Sequence, residues 1–184
     1  DPAARGRLAL KGFGNGAGAN LTNLVRQSTG AASATTGITE LELIDVAQGV
    51  GADLTGAFAN NRALASVTTR LTATGEDVDL TRAFADTAKD VMGGTTVAFD
   101  LSGFGVNAGA VLTRTFQGAF TGDASKLTNS TLSITAPEGT TRGPVASLAA
   151  LLGYEGEMSG EAADKVSERC HITRVDLSGI SGCA

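Results

Sequence analysis

Short runs in which apolar and polar residues alternate recur along this chain, and they constrain its fold more than any other feature. In the clearest run, Val97, Phe99 and Leu101 alternate with small or polar residues. A period of two is typical of a β-strand with one buried face. Comparable runs predict further strands at Arg7–Phe13, Ile38–Ala47, Arg62–Thr74, Ser130–Thr135 and His171–Leu177.

The segment after the clearest run has the pattern of a β-hairpin. A loop rich in glycine spans Gly103–Gly109, and a second alternation with Ala110, Leu112 and Phe116 follows it. Two alternating runs joined by a short glycine-containing loop usually pair antiparallel. We therefore predict a hairpin at the centre of an antiparallel sheet.

Helical patterns are fewer and scattered between these runs. From Asp79 to Met92, Leu80, Phe84 and Ala88 recur at helical spacing and form one apolar stripe. Shorter helices are predicted at Asn20–Gln27, Pro144–Leu152 and Glu161–Arg169. There is no fixed-period repeat and no domain linker, and strands do not alternate regularly with helices. These features predict a single domain over residues 1–184, mainly β in the α+β class: an antiparallel sheet or β-sandwich with a few short helices.

Charge and hydropathy exclude two classes of partner. The formal net charge is −5, and the 14 lysine and arginine residues form no basic run. Binding to nucleic acid requires clustered positive charge, so nucleic acid is not expected as a partner. Because no apolar run approaches the roughly 20 residues that cross a bilayer, no membrane span is expected.

The two cysteines give information about the cellular compartment of the protein. Cys170 and Cys183 flank one predicted strand and turn, a spacing that suits a loop-closing disulfide, although two unrelated thiols give the same pattern. The chain opens at Asp1 without an initiator methionine, which is expected either of a mature end left by a signal peptidase or of an arbitrary sequence boundary. Together these features predict an extracellular, cell-surface or periplasmic protein with a disulfide bond.

A glycine cluster at Gly12–Gly18 follows the first predicted strand and is similar to a phosphate-binding loop. Its glycines stand at alternate positions, and no P-loop Lys-Ser/Thr follows it. The chain also lacks the further strand–helix units that a dinucleotide-binding fold needs. A flexible turn is the preferred interpretation, and no cofactor is predicted.

Residues that could carry catalysis or bind a metal are sparse. His171 is the single histidine, so any histidine-dependent triad or zinc site must use it. Glu40 and Glu42 share the polar face of a predicted strand and could form half of a cation site or a glycosidase pair. With aromatic residues at only 4%, the chain offers few rings for sugar binding, and a solvated strand edge is the preferred interpretation. No catalytic or metal-binding residues are therefore predicted. Glycosylation at Asn20 and Asn129 is left open.

These observations favour a secreted, non-enzymatic structural or surface-assembly protein, such as a pilus, filament, coat or surface-layer subunit. Self-association into a homo-oligomer or polymer is expected, through strand addition to an open sheet edge. The predicted assembly strand consists of Arg7, Leu8, Ala9, Leu10 and Lys11. The alternative is an extracytoplasmic binding module for a lipid or another apolar small molecule, with the segment Val145–Leu152 lining its cavity. An enzyme would require His171 or the glycine cluster to be functional.

Overall fold

The alternating runs form a sheet. The computed structural model describes residues 6–26, 37–70, 74–138, 146–154 and 170–181. Within these ranges lie six strands and one short helix, namely β1 (Gly6–Lys11), β2 (Ile38–Ile44), β3 (Ser66–Arg70), β4 (Val97–Asp100), β5 (Ser130–Ser133), α1 (Leu148–Leu152) and β6 (Arg174–Asp176). Each strand lies within, or within one residue of, a segment that the alternation predicted.

All the strands in this sheet are parallel, so the predicted antiparallel sheet or β-sandwich is wrong. The strands lie side by side in chain order, from β1 to β6. One core-facing row runs across all of them: Leu8, Leu41, Val67, Phe99, Leu132 and Val175. Alternation indicates only that one face of a strand is buried, and this is true of strands in both parallel and antiparallel sheets. The direction of pairing is set by the connections, which here are long enough to bring the chain back to the same end of the sheet.

A second stack of main-chain contacts runs beside the sheet. Isolated parallel bridges join Asn20 to Asp53, Asp53 to Asp79 and Asp79 to Val111. The chain therefore winds in successive coils, and each of the first four coils places one strand in the sheet and one residue in this second stack. Structures built in this way are solenoids, in which each coil packs mainly on its neighbours.

The stacked positions carry a short sequence repeat. Asn20, Asp53 and Asp79 each precede a Leu-Thr pair, and Val111 precedes another. The first three side chains accept the amide of the following threonine at 3.0, 2.9 and 2.8 Å, which closes the same turn in each coil. The spacings are 33, 26 and 32 residues. The coils differ in length, which agrees with the absence of a fixed-period repeat, although a repeat of unequal spacing is present.

Phenylalanine rings fill the space between the coils. The rings of Phe58 and Phe116 stack on opposite sides of Phe84, with centroids 5.0 and 5.6 Å from it. Phe99, on β4, lies 5.8 Å from Phe84 and joins the stack to the sheet. All four rings are at most 1% exposed. The few aromatic residues of the chain are thus concentrated in one core.

Two predicted helices and the predicted hairpin are wrong. Within Asp79–Met92, Arg82, Asp86 and Ala88 have φ angles of 55°, 57° and 51°, which a right-handed helix excludes. The segment Asn20–Gln27 turns at Asn23, with φ 54°. Apolar residues recur there because the chain wraps around a core, a geometry that imitates helical spacing.

The segment predicted as the second hairpin strand, Ala110–Phe116, holds a single bridge residue and turns instead. The helix predicted over Pro144–Leu152 is found at its C-terminal half, as α1. Ser147 caps α1, and Gly153 ends it with φ 81°, the left-handed conformation that favours glycine at the end of a helix. The helix predicted at Glu161–Arg169 lies outside the described residues.

The predicted disulfide between Cys170 and Cys183 is not found. Cys170 is a free cysteine, and Cys183 lies outside the described residues. Burial raises the pKa of the Cys170 thiol. The prediction depended on spacing along the chain, which does not constrain the distance between two thiols. The argument for an oxidising compartment therefore loses its main support.

Candidate functional site

The glycine cluster Gly12–Gly18 forms a corner of the first coil. The amides of Gly12 and Gly18 donate to the carbonyl oxygens of Ile44 and Val50 in the next coil, at 3.0 and 2.8 Å. The Asn15 side chain extends the same contact, donating to the Asp45 carbonyl at 3.0 Å and accepting the Gln48 amide at 3.1 Å. These donors hold one coil on another, so the preferred interpretation as a turn agrees with the geometry.

His171 and Cys170 lie side by side where the chain enters β6. The amide of His171 donates to the Phe120 carbonyl at 2.9 Å, and its side chain is partly buried. A nucleophilic cysteine needs a lowered pKa, whereas burial raises that of Cys170. The environment of this pair is that of a structural segment.

Glu40 and Glu42 lie on the same face of β2, as predicted, but their surroundings differ. This face, here called the outer face, is opposite the core face that carries Leu41 and Leu43. Glu40 is exposed. The Glu42 side chain is only 8% exposed, because Arg7 on β1 and Arg70 on β3 both bind its carboxylate.

The ion pairs of Glu42 tie three strands together. Arg7 donates to one carboxylate oxygen, and Arg70 donates to the other at 3.2 Å. The hydrogen bond from Arg7 is the main cause that lowers the pKa of Glu42; burial opposes it, and Arg70 lowers the pKa further. Because guanidinium groups bind both of its carboxylate oxygens, Glu42 has a structural role. Within the described ranges, no group of three or more His, Cys, Asp or Glu side chains could hold a metal ion.

This arrangement predicts a pH dependence of stability. Because the pKa of Glu42 is lower in the folded protein than its ordinary value of 4.5, its contribution is present above that value and is lost as the pH falls through the folded pKa. Glu42→Gln is therefore expected to lower the melting temperature at about pH 7 and to weaken its decline toward about pH 2.5. Thermal unfolding over this range measures the difference. Glu138→Gln, at an exposed position, is the control, and equal pH profiles for both variants would contradict the assignment.

β1 forms one edge of the sheet. The amide of Gly12 points toward β2, and amide directions alternate along a strand. The amides of Leu8 and Leu10 therefore also face β2, while that of Ala9 faces the open side. Among the described residues, only β2 pairs with β1. The predicted assembly strand is thus an edge strand of the sheet that the described residues form.

β6 forms the opposite edge. Its described partner is β5 alone. Val175, which belongs to the core-facing row, is 38% exposed at this end. Arg174 and Asp176 lie on the outer face, and the amide of Ser178 donates to Asp176 at 3.0 Å. The core of the solenoid is thus partly open at its β6 end.

A cleft lies at the N-terminal ends of β2, β3 and β4; it is here called the amino-end cleft. Its volume is about 300 Å³. Its lining residues are Thr39, Glu40, Ala63, Ala65, Ser66, Asp90, Val91, Met92, Thr95 and Thr96. No local sequence pattern indicates this cleft, because four separate chain segments form it.

The comparisons with known proteins add no family. No protein-family model, curated protein or solved structure matches the chain. They give no support for secretion or for a filament. No helix in the described part of the chain is long and apolar enough to cross a membrane.

Proposed function

We propose that this protein is a non-enzymatic structural module that self-associates through the two edge strands of its sheet. The observation that carries the proposal is the position of β1, a six-residue strand at the sheet edge with a described partner on one side only. An edge strand presents a row of main-chain donors and acceptors that readily pairs with another strand. The expected partner is a second copy of the chain.

Charges on the outer face favour pairing of β1 with β6 of another copy. An antiparallel pair of β1 strands centred on Ala9 would bring Arg7 opposite Lys11 of the other copy, and like charges opposite each other are unfavourable. Placing β6 beside β1 in the parallel direction can instead set Asp176 beside Lys11. Val175 then faces Leu10, so the same register joins opposite charges and buries the partly exposed apolar side chain.

The direct test removes the outward amide of β1. Ala9→Pro deletes a donor that faces the open side, a position where an edge strand tolerates proline. We expect it to weaken self-association roughly tenfold or more, because one hydrogen bond is lost and the proline ring blocks close approach. Sedimentation velocity over a dilution series measures the association. Circular dichroism checks that the fold is retained, and Ala9→Thr, which keeps the amide, is the matched control.

A charge swap tests the partner strand. Lys11→Glu and Asp176→Lys should each weaken association by roughly two- to fivefold, since an exposed ion pair contributes little and each change leaves like charges together. Combining the two substitutions should restore association. Wild-type protein that remains monomeric at every concentration would overturn the proposal. Association that Ala9→Pro leaves unchanged would exclude β1 as its site.

A further inference from the structure

The amino-end cleft combines an apolar floor with a polar rim. Val91 is 3% exposed and Ala63 is 7% exposed, and both contribute apolar surface. Met92 is 58% exposed at the same place, which is unusual for a large apolar side chain. Thr39, Ser66, Thr95 and Thr96 also line the cleft, and Thr96 Oγ1 accepts a hydrogen bond from the Asn129 side-chain amide at 3.2 Å. Apolar walls with a few polar groups are typical of small-molecule sites.

The two carboxylates at the cleft, Glu40 and Asp90, have different partners. Asp90 is held by Arg62 through two contacts, 2.5 Å from Nε and 3.0 Å from the terminal nitrogen. Hydrogen bonding to Arg62 is the main cause that lowers the pKa of Asp90, so this carboxylate is ionised and compensated. Glu40 has no ion pair within the described part of the chain. The nearby cation, Arg7, binds Glu42 instead. Arg7 lies opposite Glu40 in the register of β1 and β2 and attracts it through space, so Glu40 is the cleft carboxylate that no described cation binds directly.

We propose that the amino-end cleft binds a small organic amine, with its apolar part on Met92 and Val91 and its ammonium group at Glu40. The volume of about 300 Å³ is at the lower limit of ligand pockets, so the ligand is a compact molecule and not a two-chain lipid. The site is independent of the edges of β1 and β6. Its occupancy does not require self-association.

Three probes with the same apolar chain separate the contribution of that chain to binding from the contribution of the ammonium group. Hexylamine, hexanol and hexanoate differ only in the head group, and ligand-observed NMR titration gives their affinities. We expect the wild type to bind the amine most tightly and the carboxylate least. Glu40→Gln should weaken amine binding roughly threefold and leave hexanol unchanged, because a partly exposed ion pair is screened by water. Glu138→Gln, an exposed carboxylate outside the cleft, should change neither.

A second variant tests the location. Ala65 lines the cleft and is only partly buried, so Ala65→Phe should fill the space and abolish binding of all three probes. Thermal unfolding checks that this variant is folded, and Ala65→Ser is the control that leaves the space open. The proposal would be overturned if Ala65→Phe still bound the probes, or if Glu40→Gln and Glu138→Gln had equal effects on amine binding. It would also be overturned if the wild type showed no saturable binding.

Discussion

Replacing Phe84 with alanine is expected to lower the free energy of unfolding by about 3–5 kcal/mol, the usual range for a buried ring. Phe84 is fully buried and contacts rings on every side, with Phe58, Phe116, Phe99 and Phe104 at 5.0, 5.6, 5.8 and 6.3 Å. Alanine leaves a cavity between two coils and removes the ring contacts to the sheet. Because coils are stabilised by their neighbours, the loss of the Phe84 ring destabilises the coils on both sides of it. Urea denaturation followed by circular dichroism measures it.

The loss is a large part of the total stability of a domain, which is typically about 5–15 kcal/mol. Phe84→Leu keeps most of the volume and should cost less than about 1.5 kcal/mol, so it remains measurable if the alanine variant does not fold. Phe13→Ala is the control, since the Phe13 ring is 44% exposed and should contribute little. A Phe84→Ala variant as stable as Phe13→Ala would show that the ring stack is not the core of the fold.

The second large effect is expected at the coil corners, where glycines allow close backbone contact. A Cβ atom on Gly49 would overlap the carbonyl oxygen of Gly16 and lie 2.9 Å from the amide nitrogen of Ala17. On Gly75 it would overlap the Gly49 carbonyl. Since the obstacle is backbone, relief requires the coils to separate. Gly49→Ala is therefore expected to destabilise by about 1–3 kcal/mol.

Gly16 gives a matched control in the same corner. A Cβ atom there meets nothing within 4 Å, and its φ angle is not in the left-handed region. Gly16→Ala should therefore be neutral or stabilising by up to about 1 kcal/mol, because alanine reduces the freedom of the unfolded chain. The two substitutions should thus have opposite signs in the same denaturation experiment. Equal effects would mean that contact between Gly49 and Gly16 does not limit how closely the coils pack.

Local patterns predicted the strands because each strand has one buried face. Leu8 and Leu10, or Leu41 and Leu43, indicate that face without reference to any partner. The same patterns failed for Asp79–Met92, where positive φ angles bend the chain around the core although the apolar spacing imitates a helix. A turn and a helix can present apolar residues at similar intervals.

The chain contained one further indication of its architecture. Asn20, Asp53 and Asp79 each begin an Asn/Asp-Leu-Thr triplet, and a comparison of these triplets at unequal spacing would have indicated the coils. The spacings of 33 and 26 residues between them, and of 32 residues from Asp79 to Val111, are too long for hairpins and long enough for parallel returns. Long connections are therefore better evidence on pairing direction than alternation is.

The positions of the strands, the end of α1 at Gly153 and the shared face of Glu40 and Glu42 were determined by the sequence alone, since each depends on residues close together in the chain. Only the tertiary structure decided the parallel order, the burial of Glu42 between two arginines and the cleft beside Glu40. These features depend on which segments meet after the chain has wound around its core. That choice is made by the combined packing of distant coils, which no local pattern encodes.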